Sequence, residues 1–350
     1  MDGEKSKNIK NNGIITVVFF VISALSLLYF AAGYSVFSVL GILACVLFSI
    51  TYSILMSRGN IPVIAAIPIV AFAAVFFASG KNPDEKDVFG AAVHVLVCLL
   101  LALCLFYCAK EKMSKSKTYA SLSAVCAAGI IANALVLVWK AYGNIAPSTV
   151  KTAVETAASF IGSLYRNMFE VISESTPQVS EETANYAEAL AKAGEYAVKA
   201  NAISSLVVYG MIIAALSVAL YGFFCKISSM QKECLEDRDW IFSMSPLGAR
   251  FLYVSYAAYF IFDFFVGNEI VSAAFYNVST VLSVPFSYLG LKAVYNFLKV
   301  KINGAAAVII IVSAILALSL FASFGTVFII LSFIGASSVI RKSYTFQNRL

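Results

Sequence analysis

From Ala305 to Ile340 the chain runs for 36 residues without a charged side chain. As one helix rising 1.5 Å per residue, that stretch would be about 54 Å long, against roughly 30 Å of bilayer hydrocarbon. It is too long for a single crossing and too apolar to sit in water. The Ser323-Phe324-Gly325 step near its middle allows a tight turn, so the stretch reads as two short membrane helices. Eight more apolar runs of spanning length precede it, at approximately 13–32, 35–56, 61–79, 89–109, 119–141, 202–224, 248–266 and 270–291. Ten crossings return the C-terminus to the side on which the N-terminus starts.

Composition removes the competing classes. Of 350 residues, 61% are hydrophobic and 13% charged, where soluble domains average roughly 45–50% and about 25%. This excludes a soluble globular enzyme, a disordered chain, a coiled-coil protein and a nucleic-acid-binding domain, so no nucleic-acid partner is expected. An outer-membrane barrel is excluded as well, because its strands alternate in short segments. The expected fold is an all-α polytopic bundle of about ten transmembrane helices, with the bilayer itself as its first partner.

Lys and Arg concentrate on the cytoplasmic side of membrane proteins. With the N-terminus inside, 18 of the 25 basic residues fall in inner segments, and four of the seven outer ones share one long loop. Of the 19 acidic residues, 7 fall inside, 11 outside, and Asp263 within a run. A nine-crossing alternative would leave Arg341, Lys342 and Arg349 outside. Both termini are therefore expected in the cytoplasm, in a bacterial plasma membrane. The first run, flanked by Lys10 and ending Phe30-Ala31-Ala32-Gly33, has features of a secretory signal. A second full-length run begins almost at once, so the pair reads as an uncleaved hairpin.

Three regions follow: 1–142 with five crossings, a polar insertion at 143–201, and 202–350 with the remaining five. The insertion is extracytoplasmic and helical by pattern. Val150, Val154, Ala157, Ile161, Leu164, Met168 and Ile172 recur at steps of three and four, which makes one apolar stripe. Thr176-Pro177-Gln178 interrupts the stripe, and Ser180 is placed to cap a second helix with Glu181 and Glu182 at its positive end. Glu188/Lys192 and Glu195/Lys199 are supporting i,i+4 pairs. This second helix is expected to run straight into the 202–224 crossing. The hairpin's stripe would rest on the bilayer, the bundle or a partner, with a lid over an outward cavity as the sharper alternative.

Ionisable groups inside a bilayer are costly and usually functional. Asp263 sits near the outer end of its run and His94, the one histidine, about a turn and a half inside the outer end of another. Similar depth makes a His–Asp pair possible, able to carry a proton or hold a polar ligand; the alternative for Asp263 is a snorkelling or capping carboxylate. Tyr256, Tyr259 and Asp263 share a helical face, with Tyr253 nearby. Asn133 and Asn277 are mid-helix amides that serve as interhelical hydrogen bonds or ligand contacts. His94, Asn133, Tyr256, Tyr259, Asp263 and Asn277 are the ligand-binding candidates. Ala124, Ala128 and Ala132 form a small-residue ridge, with Gly129 adjacent, that suits close contact with another membrane helix. Pro68 and Pro285 are expected to kink their helices, and Trp139, Lys140 and Trp240 fit interfacial anchoring.

Seven cysteines, one histidine and no metal-ligand spacing give no reason to expect a metal or any other cofactor. There is no Walker loop, no HExxH, no GxSxG with partners and no CxxC pair, so no catalytic residue is assigned.

From about residue 225 onward the order of features resembles the YybS-like family of bacterial membrane proteins, which has no assigned activity. The residues that carry the resemblance are Trp240-Ile241-Phe242-Ser243 through Ser245-Pro246, Asn277 with Val281-Leu282-Ser283-Val284-Pro285-Phe286, Gly290-Leu291-Lys292 and Leu298-Lys299. A last helix then runs through Gly335 to a basic tail with Arg341 and Arg349. An acidic residue expected soon after that glycine is replaced by Ala336-Ser337-Ser338, and the first half matches only in hydropathy. Part of that family is similar to the substrate-binding subunits of energy-coupling-factor transporters, which implies small-molecule capture. The expected function is a small-molecule binding or transport subunit without its own ATPase. The alternative is a non-catalytic scaffold or assembly factor, meeting a membrane-protein partner through Ala124, Ala128 and Ala132 or through the 148–200 insertion.

Overall fold

A computed structural model describes residues 2–31, 38–59, 65–70, 73, 85–175, 181–228, 235, 244–321 and 324–347. The chain is an all-α, multi-pass helical membrane protein. Its helices are α1 (Asp2–Ala31), α2 (Val39–Ser57), α3 (Glu85–Lys110), α4 (Lys115–Tyr142), α5 (Pro147–Ser175), α6 (Glu181–Ile227), α7 (Pro246–Phe260), α8 (Glu269–Lys299), α9 (Gly304–Phe321) and α10 (Phe324–Gln347). Among the described residues seven helices are long and apolar enough to cross a bilayer, and α9 and α10 contribute two shorter apolar ones. Most of the expected 61–79 crossing lies outside the described residues. So do Thr176-Pro177-Gln178, Ser180, Cys234, Trp240, Ser323 and Arg349.

Local chemistry sets the helix ends. Ser38, Ser245 and Asn268 cap α2, α7 and α8 by accepting the Gly41, Gly248 and Val271 amides at 2.9, 3.1 and 3.1 Å. Gly143 ends α4 at φ +80, a left-handed conformation that costs a side-chain-bearing residue far more than glycine. α8 runs unbroken through Pro285. α7 gives way at Ile261 to a π-helical turn, Ile261–Val266, where a continuous α-helix was expected. That turn carries Asp263 and closes at Gly267, with φ +67.

The described contacts divide the chain into two compact units. The first comprises residues 1–156 and 205–241. Ser23 and Thr51 hydroxyls bond across α1 and α2 at 2.7 Å, and Ser49 meets Ser217 of α6 at 3.2 Å. At the end of α2 the Arg58 guanidinium donates to Thr16 Oγ1 at 2.5 Å and to the Ser228 carbonyl at 3.0 Å. A Cβ at Gly210 of α6 would stand 2.7 Å from the Ala127 nitrogen of α4, so these backbones nearly touch. Of the alanine ridge, Ala124 and Ala128 are exposed and Ala132 is half-buried.

The second unit comprises residues 157–204 and 242–350. Its core is Ala249, Leu252, Tyr256, Phe286 and Ala336, from α7, α8 and α10. Hydroxyls stitch these helices together. Tyr253 Oη donates to the Phe333 carbonyl at 3.1 Å, and Ser287 Oγ donates to the Phe328 carbonyl at 2.8 Å. Tyr256 Oη lies 3.0 Å from Ser283 Oγ. Each satisfies a polar group that would otherwise be costly in lipid.

The hairpin of α5 and α6 packs through small residues, because only these let two helices approach closely. Ala158 and Gly162 of α5 and Ala187 and Ala191 of α6 are buried. A Cβ at Gly162 would land on the Glu195 carboxylate, and one at Gly194 would stand 2.9 Å from the Tyr165 ring. Arg166 bridges the pair, with Nε 2.7 Å from Glu188 Oε2 and a terminal nitrogen 3.0 Å from Glu195 Oε1. The hydrogen bond from Arg166 holds the Glu188 carboxyl below its ordinary range. A group with a lowered folded pKa stabilises fully above its unfolded pKa, and that contribution is lost as pH falls through the folded value. A spin label on Ser159→Cys is therefore expected to gain mobility as pH falls from about 5 to about 3. In Arg166→Ala the label should be mobile throughout; identical pH profiles in both proteins would refute the bridge.

Candidate functional site

The six candidate residues fall into two groups, one in each unit. His94 and Asn133 belong to the first. Gly90, His94 and Val97 lie at i, i+4 and i+7 on one face of α3. Gly129, Asn133, Val136 and Lys140 lie at i, i+4, i+7 and i+11 on one face of α4. The two faces meet: a Cβ at Gly90 would stand 2.7 Å from Lys140 Nζ and 3.4 Å from Val136 Cγ1, while one at Gly129 would land on Val97 Cγ1. Since His94 sits between Gly90 and Val97 and Asn133 between Gly129 and Val136, the two belong to one level of the α3–α4 interface.

Their side chains are in different situations. His94 Nδ1 is 2.7 Å from the Gly90 carbonyl, and the ring stacks on Phe30 of α1 at 5.8 Å. A carbonyl only accepts, so Nδ1 carries the proton, and in the neutral ring Nε2 is an acceptor. Asn133 is 1% exposed. Neither its Oδ1 nor its Nδ2 has a hydrogen-bond partner among the described residues. Leaving a buried amide bare costs about 1–3 kcal/mol. The level thus presents an acceptor at His94, two donors and an acceptor at Asn133, and the Lys140 ammonium at one end.

Tyr256, Tyr259, Asp263 and Asn277 belong to the second unit. Asn277 is spent on structure: its Oδ1 accepts the Ser204 amide at 2.8 Å, and its Nδ2 donates to the Ala200 and Ala273 carbonyls at 2.5 and 2.7 Å. This strap ties α8 to α6. Tyr256 is buried in the core. Tyr259 packs against Tyr276 with the rings tilted at 46° and their centroids 4.8 Å apart. Asp263 Oδ1 accepts from Tyr196 Oη at 3.1 Å and from Ser272 Oγ at 3.3 Å. The sequence reading missed Tyr196 and Ser272, which are 67 and 9 residues away from Asp263. Asp263→Asn keeps an oxygen for these hydroxyls, whereas Asp263→Leu does not. The leucine variant is expected to lose about 1 kcal/mol of stability in detergent and the asparagine variant much less; equal melting of the two would show that the hydroxyls do not depend on the carboxylate.

No group of three or more His, Cys, Asp or Glu side chains suited to a metal ion occurs among the described residues. Cys45 and Cys98 bring their sulfurs to 3.6 Å across α2 and α3, both fully buried as small packing residues.

A family model described as "Predicted membrane protein (DUF2232)" matches residues 21–334. The chain belongs to this family. No curated protein and no solved structure matches the chain. The DUF2232 match begins inside α1 and ends inside α10, so it takes in both units and all six candidate residues. It also reaches well beyond the region from about residue 225 on which the YybS-like resemblance was read, and its description does not carry that name. Its description names a membrane protein and assigns no activity.

Proposed function

We propose that the protein binds a small polar molecule between α3 and α4, as a binding or transport subunit of the bacterial cytoplasmic membrane. The observation that carries this reading is Asn133, a fully buried carboxamide with no hydrogen-bond partner among the described residues, at the level of His94. The ligand chemistry follows from the groups present. A hydroxyl or N–H of the ligand would donate to His94 Nε2, a carbonyl or hydroxyl would meet Asn133, and an anionic end would suit Lys140. With no nucleotide-binding loop in the sequence, energy for transport would come from an ion gradient or a separate protein. The YybS-like resemblance and its distant likeness to energy-coupling-factor subunits point the same way at the level of fold analogy.

The test is thermal stability in detergent against a panel of small hydroxylated, amide-bearing and carboxylated compounds. At least one should raise the melting temperature of the wild type and fail to raise that of Asn133→Leu or His94→Phe. A panel without effect on wild type, or a shift that survives both changes, would defeat the proposal.

A second reading, a non-catalytic scaffold or assembly factor, is favoured by the hairpin. Phe160, Leu164 and Met168 of α5 are exposed at 61%, 42% and 61%. A surface of that kind suits docking better than transport.

A further inference from the structure

We propose that the turn between α3 and α4 binds the phosphate headgroup of an anionic lipid. It lies at the opposite end of these helices from Lys140, so it stands whatever the interface between them holds.

Two crossings fix the depth of this turn. α3 ends at Lys110 and α4 begins at Lys115, and both helices are long and apolar enough to span. A connection of four residues has no reach away from the bilayer, so it rests among the headgroups. Here the sequence sets Lys110, Lys112, Lys115 and Lys117 against the one carboxylate of Glu111. Lys110, Lys112 and Lys117 are exposed. Among the described residues no carboxylate pairs with any of these three.

Helix physics disfavours lysine at three of the four positions. α3 closes in a Schellman turn, where the Met113 amide donates to the Cys108 carbonyl at 2.9 Å and the Lys112 amide to the Ala109 carbonyl at 3.0 Å. That closure needs a left-handed residue, a role that glycine fills at Gly143 and Gly267. Lys112, with φ +48, is the one non-glycine residue with positive φ among the described residues. Lys115 and Lys117 then stand in the first turn of α4, where the helix dipole repels a cation and favours an acid, and that turn has no acid.

A basic count on one side of the membrane could be met at any exposed position. It does not ask for a left-handed residue or for the start of a helix. Local rules broken together at an exposed place point to function rather than folding, and an anion from outside the chain supplies the compensation. An anionic leaflet attracts each lysine held at its surface. The dipole that repels Lys115 and Lys117 draws a phosphate in among them. Lysine meets phosphate as a point charge without fixed geometry, which suits a headgroup on a mobile lipid. A zwitterionic headgroup carries its own cation and brings no such gain.

The experiment follows the melting temperature of the full chain in a neutral detergent, titrated with phosphatidylglycerol, with phosphatidylcholine or with inorganic phosphate. Phosphatidylglycerol should raise it and the other two should not. Lys110→Gln/Lys112→Gln/Lys117→Gln should lose most of that rise, with the titration midpoint moving about fivefold for each lysine removed. The corresponding triple arginine variant should keep the rise, and so should Lys299→Gln/Lys301→Gln, which removes charge from another turn. Lys112→Gly should melt above wild type in detergent alone, because the left-handed backbone is relieved, and still gain less from phosphatidylglycerol. Equal rises with the two lipids, a full rise in the triple glutamine variant, or an equal loss in Lys299→Gln/Lys301→Gln overturns the proposal. A rise given by inorganic phosphate alone overturns the lipid as occupant.

Discussion

Gly335→Val is expected to leave the second unit unable to assemble, with most of the purified protein aggregated or lost on size exclusion in detergent. α8 and α10 cross at Gly290 and Gly335 with their backbones in contact. A Cβ at Gly335 would land on the Phe286 carbonyl oxygen and stand 2.7 Å from the Gly290 nitrogen. A Cβ at Gly290 would land on the Leu331 carbonyl oxygen. Overpacking a core with a side chain that can turn aside costs about 1–3 kcal/mol. Here the obstacles are main-chain atoms of two helices, so relief requires the helices to separate, and the cost should exceed that range. Separation would also break the Ser287–Phe328 and Tyr253–Phe333 bonds and open the core around Phe286. Gly222→Val is the matched control, since among the described residues nothing lies within 4 Å of a Cβ there. If both variants elute and melt like wild type, α8 and α10 do not cross at these glycines.

What the chain disclosed in advance, and what it withheld, follows from the range of each interaction. The bilayer asks for about 20 apolar residues per crossing, a demand written in contiguous sequence, so the helices and the all-α architecture were legible. The cap of α7 is just as local, with Ser245 before Pro246 at its start, although in the sequence that pair was read only as part of a family resemblance. The Gly290–Gly335 crossing was not legible, because each glycine is ordinary in its own helix and the contact exists only once α8 and α10 meet. Tyr196 could not be assigned to Asp263 for a similar reason: it belongs to a polar insertion, and only α6 carries it to the π-helical turn. That turn was itself hidden, since widening of the hydrogen-bond ladder leaves no mark in hydropathy. On α5 the periodicity found the apolar stripe, but close approach rather than apolarity decided which face α6 would take, and Ala158 and Gly162 won over Leu164 and Met168. The level shared by His94 and Asn133 did carry a signal, in the matching i, i+4, i+7 sets of two adjacent helices joined by a short turn. Reading it required the register of the pair, which the Gly90–Val136 and Gly129–Val97 contacts supply.

Asn133→Leu is expected to make the ligand-free protein more stable, not less. Ordinarily, replacing a buried asparagine costs stability because its partners lose their hydrogen bonds. At this position neither amide atom has such a bond among the described residues, so the wild-type side chain carries its desolvation penalty uncompensated. Leucine has a similar size and no polar atom to desolvate. The gain should be about 1–3 kcal/mol, read as a higher melting temperature or greater resistance to denaturant in detergent. Asn133→Asp should do the reverse, since a carboxylate at the same depth is costlier still. The stabilised leucine variant should at the same time lose the melting shift that polar ligands give the wild type. A protein that keeps a destabilising amide in its membrane core keeps it for something other than folding. Should Asn133→Leu instead melt well below wild type, the amide would be an internal hydrogen-bonding strut like that of Asn277, and the binding site between α3 and α4 would go with it.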